Sequence, residues 1–307
     1  MQLRLLALRY WPTWVALGVL RLLTLLPFSS LIVLGRLLGA IMRRLPVTFI
    51  RTARRNMELC LPELCADERE KLLDQHFASL GIALLETGFA WWSSPARLRK
   101  IVDVQGSEHL QAALARGRGV ILLTAHFTPL EMGGRILASV APISILYRPT
   151  KNEVLARFLS RCRCQHGGNP IPRDDIRALI TALRNNECVW YAPDQSYRKK
   201  GAEMVPLFGI PAATNTLTSR LARMTGATVL PYFFRRLPGA QGYTAIIHPP
   251  FKNFPSDSSV ADTERFNHMI EDQVRTVPEQ YLWIHRRFKG LTEDYPDYYG
   301  RHTQRRV

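Results

Sequence analysis

From residue 119 to residue 276, apolar runs of strand length alternate with longer segments of helical periodicity. No other feature of the chain limits its fold as much. The strand candidates are 119–124, 143–147, 187–192, 227–235 and 243–248, and the helix candidates are 129–140, 151–165, 174–185, 213–225 and 260–276. Alternation of this kind buries the strands in a central sheet and covers its faces with helices. The expected fold class is therefore α/β, with a central, largely parallel or mixed sheet flanked by helices. Upstream, 47–60 and 66–96 read as helices, Val102–Gln105 as a short strand and Glu108–Arg116 as a helix. A chain of 307 residues can bury one large core of this type. No internal repeat, low-complexity segment or long linker divides it. Residues 290–307, rich in Tyr, Pro and Arg, read as a loosely ordered tail.

The N-terminus has a different character. Nine arginines (4, 9, 21, 36, 43, 44, 51, 54 and 55) precede the first acidic residue, Glu58, and are interleaved with Leu, Ile, Val and Trp. The whole chain carries a net charge of +16. Such a balance calls for an anionic partner: a nucleic acid, a membrane surface, or an acidic substrate or carrier. Arginine among apolar residues is unlike a polar nucleic-acid arm, and no nucleic-acid module is recognisable, so no nucleic-acid partner is expected. The pattern fits a segment that meets anionic lipid. Arg21 and Arg36 leave charge-free runs of 11 and 14 residues, whereas one span needs roughly 20 apolar residues. Pro12 and Pro27 suggest two short helices near 13–26 and 28–44. Residues 1–44 are thus expected to anchor the chain in a membrane without cleanly crossing it, and 45–307 to form the main domain. No small-residue cleavage site follows a short apolar core, so a removed signal peptide is not expected.

Five cysteines at irregular spacing fit a reducing cytosol. Cys162-Arg-Cys164-Gln-His166 has the look of half a metal site, but no second half stands nearby, and no metal is expected.

Candidate chemistry begins at Thr124-Ala-His126-Phe-Thr128-Pro-Leu-Glu131. Here a buried-looking strand delivers a histidine to the start of a helix, and in open α/β sheets that carboxyl edge is where ligands bind. Histidine takes a proton near neutral pH, and a carboxylate one turn on can hold its tautomer. With eight histidines in the chain, a bare H-x4-E spacing arises readily by chance. Thr128-Pro-Leu-Glu131 also reads as a capping box, in which Glu131 only secures a helix start. Arg148, at a strand end before Pro149, is placed to bind an anion or to be a plain surface arginine. Asp194 and Gln195 again follow an apolar run, and Pro-Asp is equally a turn pair. Phe208-Gly-Ile-Pro-Ala-Ala-Thr214 reads as the entry to a helix. Basic clusters at Arg198-Lys199-Lys200 and Arg235-Arg236 are either docking surfaces or solvated loops. No G-x-S-x-G elbow, Walker-type loop or Rossmann glycine fingerprint is present.

His126-x4-Glu131, Tyr147-Arg148-Pro149, Ala192-Pro-Asp194-Gln195, the Phe208–Thr214 block and Val229-Leu-Pro231, in this order, resemble the lysophospholipid acyltransferase superfamily. More narrowly, they resemble the late lauroyl/myristoyl acyltransferases of bacterial lipid A biosynthesis. The resemblance runs to about Arg287 and is most specific in the Asp-Gln and Phe-Gly-x-Pro-Ala-x-Thr blocks. Glycerol-phosphate acyltransferases usually carry Asp in place of Glu131 and a different later block. The resemblance implies transfer of a fatty acyl chain from acyl carrier protein to a hydroxyl of a lipid A precursor. It implies no metal or organic cofactor, and a place at the cytoplasmic face of the inner membrane of a Gram-negative bacterium. His126 would be the general base, Glu131 its support, and Arg148, Asp194, Gln195, Phe208 and Thr214 substrate-binding residues. Two other readings remain: a glycerophospholipid or other lipid acyltransferase, and a basic membrane-associated protein without catalysis.

Overall fold

The computed structural model describes residues 3–44 and 47–300. After two short 3-10 turns at Leu3–Leu6 and Leu8–Tyr10 come five α-helices: α1 (Trp11–Leu23), α2 (Phe28–Met42), α3 (Val47–Cys60), α4 (Ala66–Trp92) and α5 (Pro95–Arg99). The alternating region runs β1 (Val102–Gln105), α6 (Ser107–Leu114), β2 (Val120–Leu123), α7 (Leu130–Leu137), β3 (Ile143–Tyr147), α8 (Glu153–Gln165), β4 (Gly168–Pro172), α9 (Ile176–Arg184) and β5 (Cys188–Tyr191). It continues with β6 (Ala202–Leu207), β7 (Ile210–Asn215), α10 (Leu217–Thr225), β8 (Thr228–Arg236), β9 (Tyr243–Ile247) and α11 (Ser259–Thr276).

The expected mixed sheet is present. Seven strands lie in the order β1-β9-β8-β2-β5-β3-β4, parallel throughout except where β8 meets β9. Every residue of β2, Val120–Leu123, is buried, as befits a central strand covered on both faces. Its parallel register with β5 pairs Leu123 with Tyr191. The loops that follow the two strands therefore leave the same edge of the sheet side by side.

Two elements escaped the sequence pattern. β4 contains Pro170 and Pro172, which tolerate only an edge position, and the edge is where it pairs with β3. The Phe208–Thr214 block does not enter a helix as expected. It closes and forms the returning strand of the β6–β7 hairpin, and α10 begins only at Leu217. Phe208 and Gly209 both sit at positive φ, 53° and 72°, as a two-residue hairpin turn requires.

The N-terminal helices are part of this packing. Gly39 lies so close to α4 that a Cβ there would stand 2.2 Å from the Phe77 carbonyl oxygen, and one on Gly81 would stand 2.1 Å from that of Gly35. α2 and α4 thus touch backbone to backbone. The outward faces of α1 and α2 stay apolar and exposed, with Val15, Leu22, Leu25, Val33 and Leu37 all more than half exposed. Beyond Phe49 the large exposed apolar side chains are only Leu84, Ile176, Met224 and Tyr295 among the described residues. No described helix is long and apolar enough to cross a membrane. The early arginines are not all without counter-charge. Arg43 pairs with Glu70 and Asp74, Arg54 with Glu70, and Arg55 with Glu58. Part of the C-terminal segment also docks. Tyr299 Oη donates to Asn56 Oδ1 at 2.5 Å and accepts from the Phe288 N–H at 3.0 Å. Residues 301–307 of the expected tail lie outside the described residues.

Candidate active site

His126 is the third residue beyond Leu123, and Asp194 is the third beyond Tyr191. The β2–β5 register therefore brings them together across 68 residues of sequence. Asp194 Oδ1 lies 2.6 Å from His126 Nδ1, and its Oδ2 accepts the His126 backbone N–H at 2.9 Å. Asp194 is almost fully buried. Burial works to raise its carboxyl pKa. The His126 charge, the two hydrogen bonds from His126 and the nearby Arg287 guanidinium more than offset this and hold it below the ordinary value. An ionised carboxylate has no proton to give, so the hydrogen of this bond sits on Nδ1, and a neutral ring in this arrangement has its lone pair on Nε2. His126 and Asp194 share the wall of a small cavity with Gln195, Tyr281, His285 and Arg287. Nδ1 is thus occupied by Asp194 rather than by Glu131, the partner expected from spacing.

The loop is clamped from outside the motif. The backbone of Gln280–Leu282 pairs with it: Thr128 N donates to Gln280 O at 2.7 Å, and Leu282 N donates to His126 O at 2.9 Å. The Thr128 hydroxyl pairs with Ser79 Oγ at 2.7 Å, and no side chain caps α7, so the alternative reading of Thr128–Glu131 as a capping box is not met.

Glu131 lines a second cavity, which shares no residue with the first. Arg163 Nη2 donates to its Oε1 at 2.7 Å and Trp91 Nε1 to its Oε2 at 3.1 Å. Trp91, the Glu131–Arg163 pair, Arg135 and His166 give this cavity polar points in an otherwise apolar wall that includes Leu130, Ile145 and Leu146. Trp91 packs edge-on against Trp92 and Phe158.

The other expected site residues separate into two groups. Gln195 lines the His126 cavity. Thr214 is buried behind it, where its Oγ1 accepts from Arg287 Nη2 at 2.6 Å. Arg148 is exposed past the end of β3 and Phe208 sits in the hairpin turn, its N–H donating to Glu271 at 2.6 Å; neither lines either cavity. Of the basic clusters, Arg236 is buried, bonded to Glu86 at 2.7 Å, which removes it from any exposed docking patch.

Sequence reasoning missed Tyr281, His285 and Arg287. Arg287 is a buried cation that donates to Ala213 O at 2.9 Å and to Thr214 and lies near Asp194. His285 Nε2 accepts the Ser196 N–H at 3.1 Å, and burial chiefly pushes its pKa down to about 4, so the ring is neutral. The available signal was a run of chemically rich residues, Tyr281–Arg287, within the reach of the family resemblance. Among the described residues that line the His126 cavity there is no serine, threonine or cysteine. No group of metal-ligating side chains occurs among the described residues.

A histidine held by a buried carboxylate at a sheet's carboxyl edge, without a serine, threonine or cysteine among the described residues of its cavity, suits transfer of a group to an incoming acceptor. Comparison with known proteins narrows this class. The model of the bacterial lipid A biosynthesis acyltransferases matches residues 1–290. The chain is 40% identical over 282 residues to the lipid A biosynthesis palmitoleoyltransferase of Escherichia coli K12, covering 92% of each chain. It is 38% identical over 292 residues to the lauroyltransferase of the same organism, covering 95% of each. A lipid A biosynthesis acyltransferase of Haemophilus influenzae is 34% identical over 293 residues, with 94% of each covered. The chain belongs to the bacterial lipid A biosynthesis acyltransferase family.

Proposed function

We propose that this acyltransferase moves a fatty acyl chain from an acyl carrier protein thioester directly to a hydroxyl of a lipid A precursor. The observation that supports this most is the His126–Asp194 pair, which engages Nδ1 and so leaves Nε2 to act as a base beside the cavity that His126 lines. Nε2 takes the acceptor's hydroxyl proton while the oxygen attacks the thioester carbonyl. Asp194 holds the tautomer and stabilises the imidazolium that forms. The proton then passes to the departing thiolate, so the base is restored with each turnover. Glu131, charge-balanced by Arg163, serves as the second catalytic carboxylate from the neighbouring cavity, where it supports the positive charge on His126 and orients the bound chain. No metal or organic cofactor enters this scheme.

The apolar outer faces of α1 and α2, flanked by Arg21, Arg36 and Arg44, lie in the interface of an anionic leaflet, on the cytoplasmic side of the inner membrane. Arginines at that depth reach the headgroups while the apolar side chains enter the acyl boundary. The deciding experiment is acyl transfer in vitro from acyl carrier protein, with donors of several chain lengths, to a lipid A precursor. His126→Ala is the control. Transfer to glycerophospholipid acceptors instead would favour the wider superfamily reading, and equal turnover by His126→Ala would overturn the assigned base.

A further inference from the structure

Thr48, Arg51, Thr52 and Arg55 recur on α3 at positions that share one helical face. They form one wall of a groove whose other wall is Arg286 with Tyr298 and Tyr299. Glu58 is the one acid that lines it among the described residues, and it pairs with Arg55 at 3.1 Å. Neither Arg51 nor Arg286 has a carboxylate partner among the described residues, and Arg286 rests on the Tyr299 ring. Cations also crowd beyond this wall. Burial, Arg286 and Arg198 together hold the Lys289 ammonium below its ordinary pKa. Positive charges gathered with so little acid repel one another, and an anion removes that cost.

The groove's position gives it meaning. Asn56, one turn beyond Thr52, lines the His126 cavity and donates to the backbone oxygens of Trp283 at 2.6 Å and His285 at 2.8 Å. Tyr299, which lines the groove, donates to Asn56. A single layer, Asn56 with Tyr299, therefore separates the groove from the cavity that holds the base. Guanidinium groups recognise phosphate oxygens well, and threonine hydroxyls can add donors.

We propose that this groove is a phosphate-binding subsite of the active site, holding a phosphate of one substrate while that substrate's reacting centre enters the His126 cavity. The proposal rests on the acyl-transfer reading. The phosphate has two possible sources, the diester of the donor's phosphopantetheine arm or a phosphate of the lipid acceptor.

The test uses the full chain and the double variants Arg51→Ala/Arg286→Ala and Arg51→Lys/Arg286→Lys. Kinetics are measured with acyl carrier protein donor against an acyl-pantetheine thioester without phosphate, and with phosphorylated against dephosphorylated lipid acceptor. In the alanine variant, KM for one phosphorylated substrate should rise by about tenfold or more, the scale of one lost charge-assisted hydrogen bond, with kcat little changed. That variant should also stop discriminating between this substrate and its phosphate-free form, and lysine should restore part of the difference. The substrate affected identifies the source. Unchanged KM for both substrates, in a variant that still transfers acyl chains, overturns the subsite. If the unaltered chain transfers nothing, the acyl-transfer reading fails. Direct binding of the phosphorylated lipid then decides the subsite, and equal affinity in unaltered and alanine proteins overturns it.

Discussion

At the scale of single residues, the chemistry depends on which carboxylate holds His126. The H-x4-E spacing made the histidine visible in the sequence, because a strand-to-helix junction places it at the sheet edge. Its hydrogen-bond partner was not visible, because the Asp194 contact follows from strand register between segments 68 residues apart. Replacing His126 with Ala should lower kcat by about 10²–10⁴ with the fold retained. Asp194→Asn should also cut kcat severely, since an amide cannot both fix the tautomer and balance the imidazolium. Glu131 gives the informative comparison. If it supports the charge on His126 from the neighbouring cavity, Glu131→Gln lowers kcat even where the melting temperature is unchanged. If it only balances Arg163, Glu131→Gln and Arg163→Met together should turn over as fast as the unaltered protein. Rate and melting temperature for each variant separate the two roles.

At the scale of elements, most strands and helices were legible because burial on both faces writes continuous apolar runs into the parallel strands. The exceptions share a cause: β4 and the β6–β7 hairpin are rich in proline and small residues, and pairing with a neighbour, not their own pattern, makes them strands. The first two helices were legible as elements, but their role divides between two faces. The inner face of α2 meets α4 through Gly35, Gly39 and Gly81, so deleting residues 1–44 would strip the core as well as any anchor. Outer-face substitutions are the cleaner probe. Exchanging Trp11, Val15, Leu22 and Leu25 for serine should weaken binding to anionic vesicles strongly, since burying each such apolar side chain contributes about 1.5–3 kcal/mol. The melting temperature should barely move, because these side chains touch solvent in the fold. Undiminished vesicle binding would assign the membrane contact to another surface.

At the scale of the whole molecule, net charge and pH act through different groups. The charge of +16 would favour encounter with the acidic carrier protein proposed as the donor. KM for that donor should rise with salt as the Debye length falls from about 10 Å at 0.1 M to about 3 Å at 1 M, and a salt-independent KM would argue against electrostatic docking. Stability responds to pH through groups the surface does not show. His76, on α4, is fully buried; its Nδ1–H donates to Glu279 O at 3.0 Å and its Nε2 meets no partner among the described residues. Burial, only partly opposed by that hydrogen bond, lowers its pKa from 6.5 to about 4. The unfolded chain therefore binds this proton first as the solution is acidified. The stability that neutral His76 confers is present above pH 6.5 and is lost as pH falls toward about 4. For a completely buried ring the loss is of order 3 kcal/mol. His285, also held near pKa 4, acts in the same direction. His76→Asn keeps a donor for Glu279 O but cannot titrate. Its melting temperature should lie below that of the unaltered protein at pH 7.5, where Asn fills the site less well, and should fall less steeply between pH 6.5 and 4.5. Parallel decline of the two proteins across that interval would show that other groups carry the acid sensitivity.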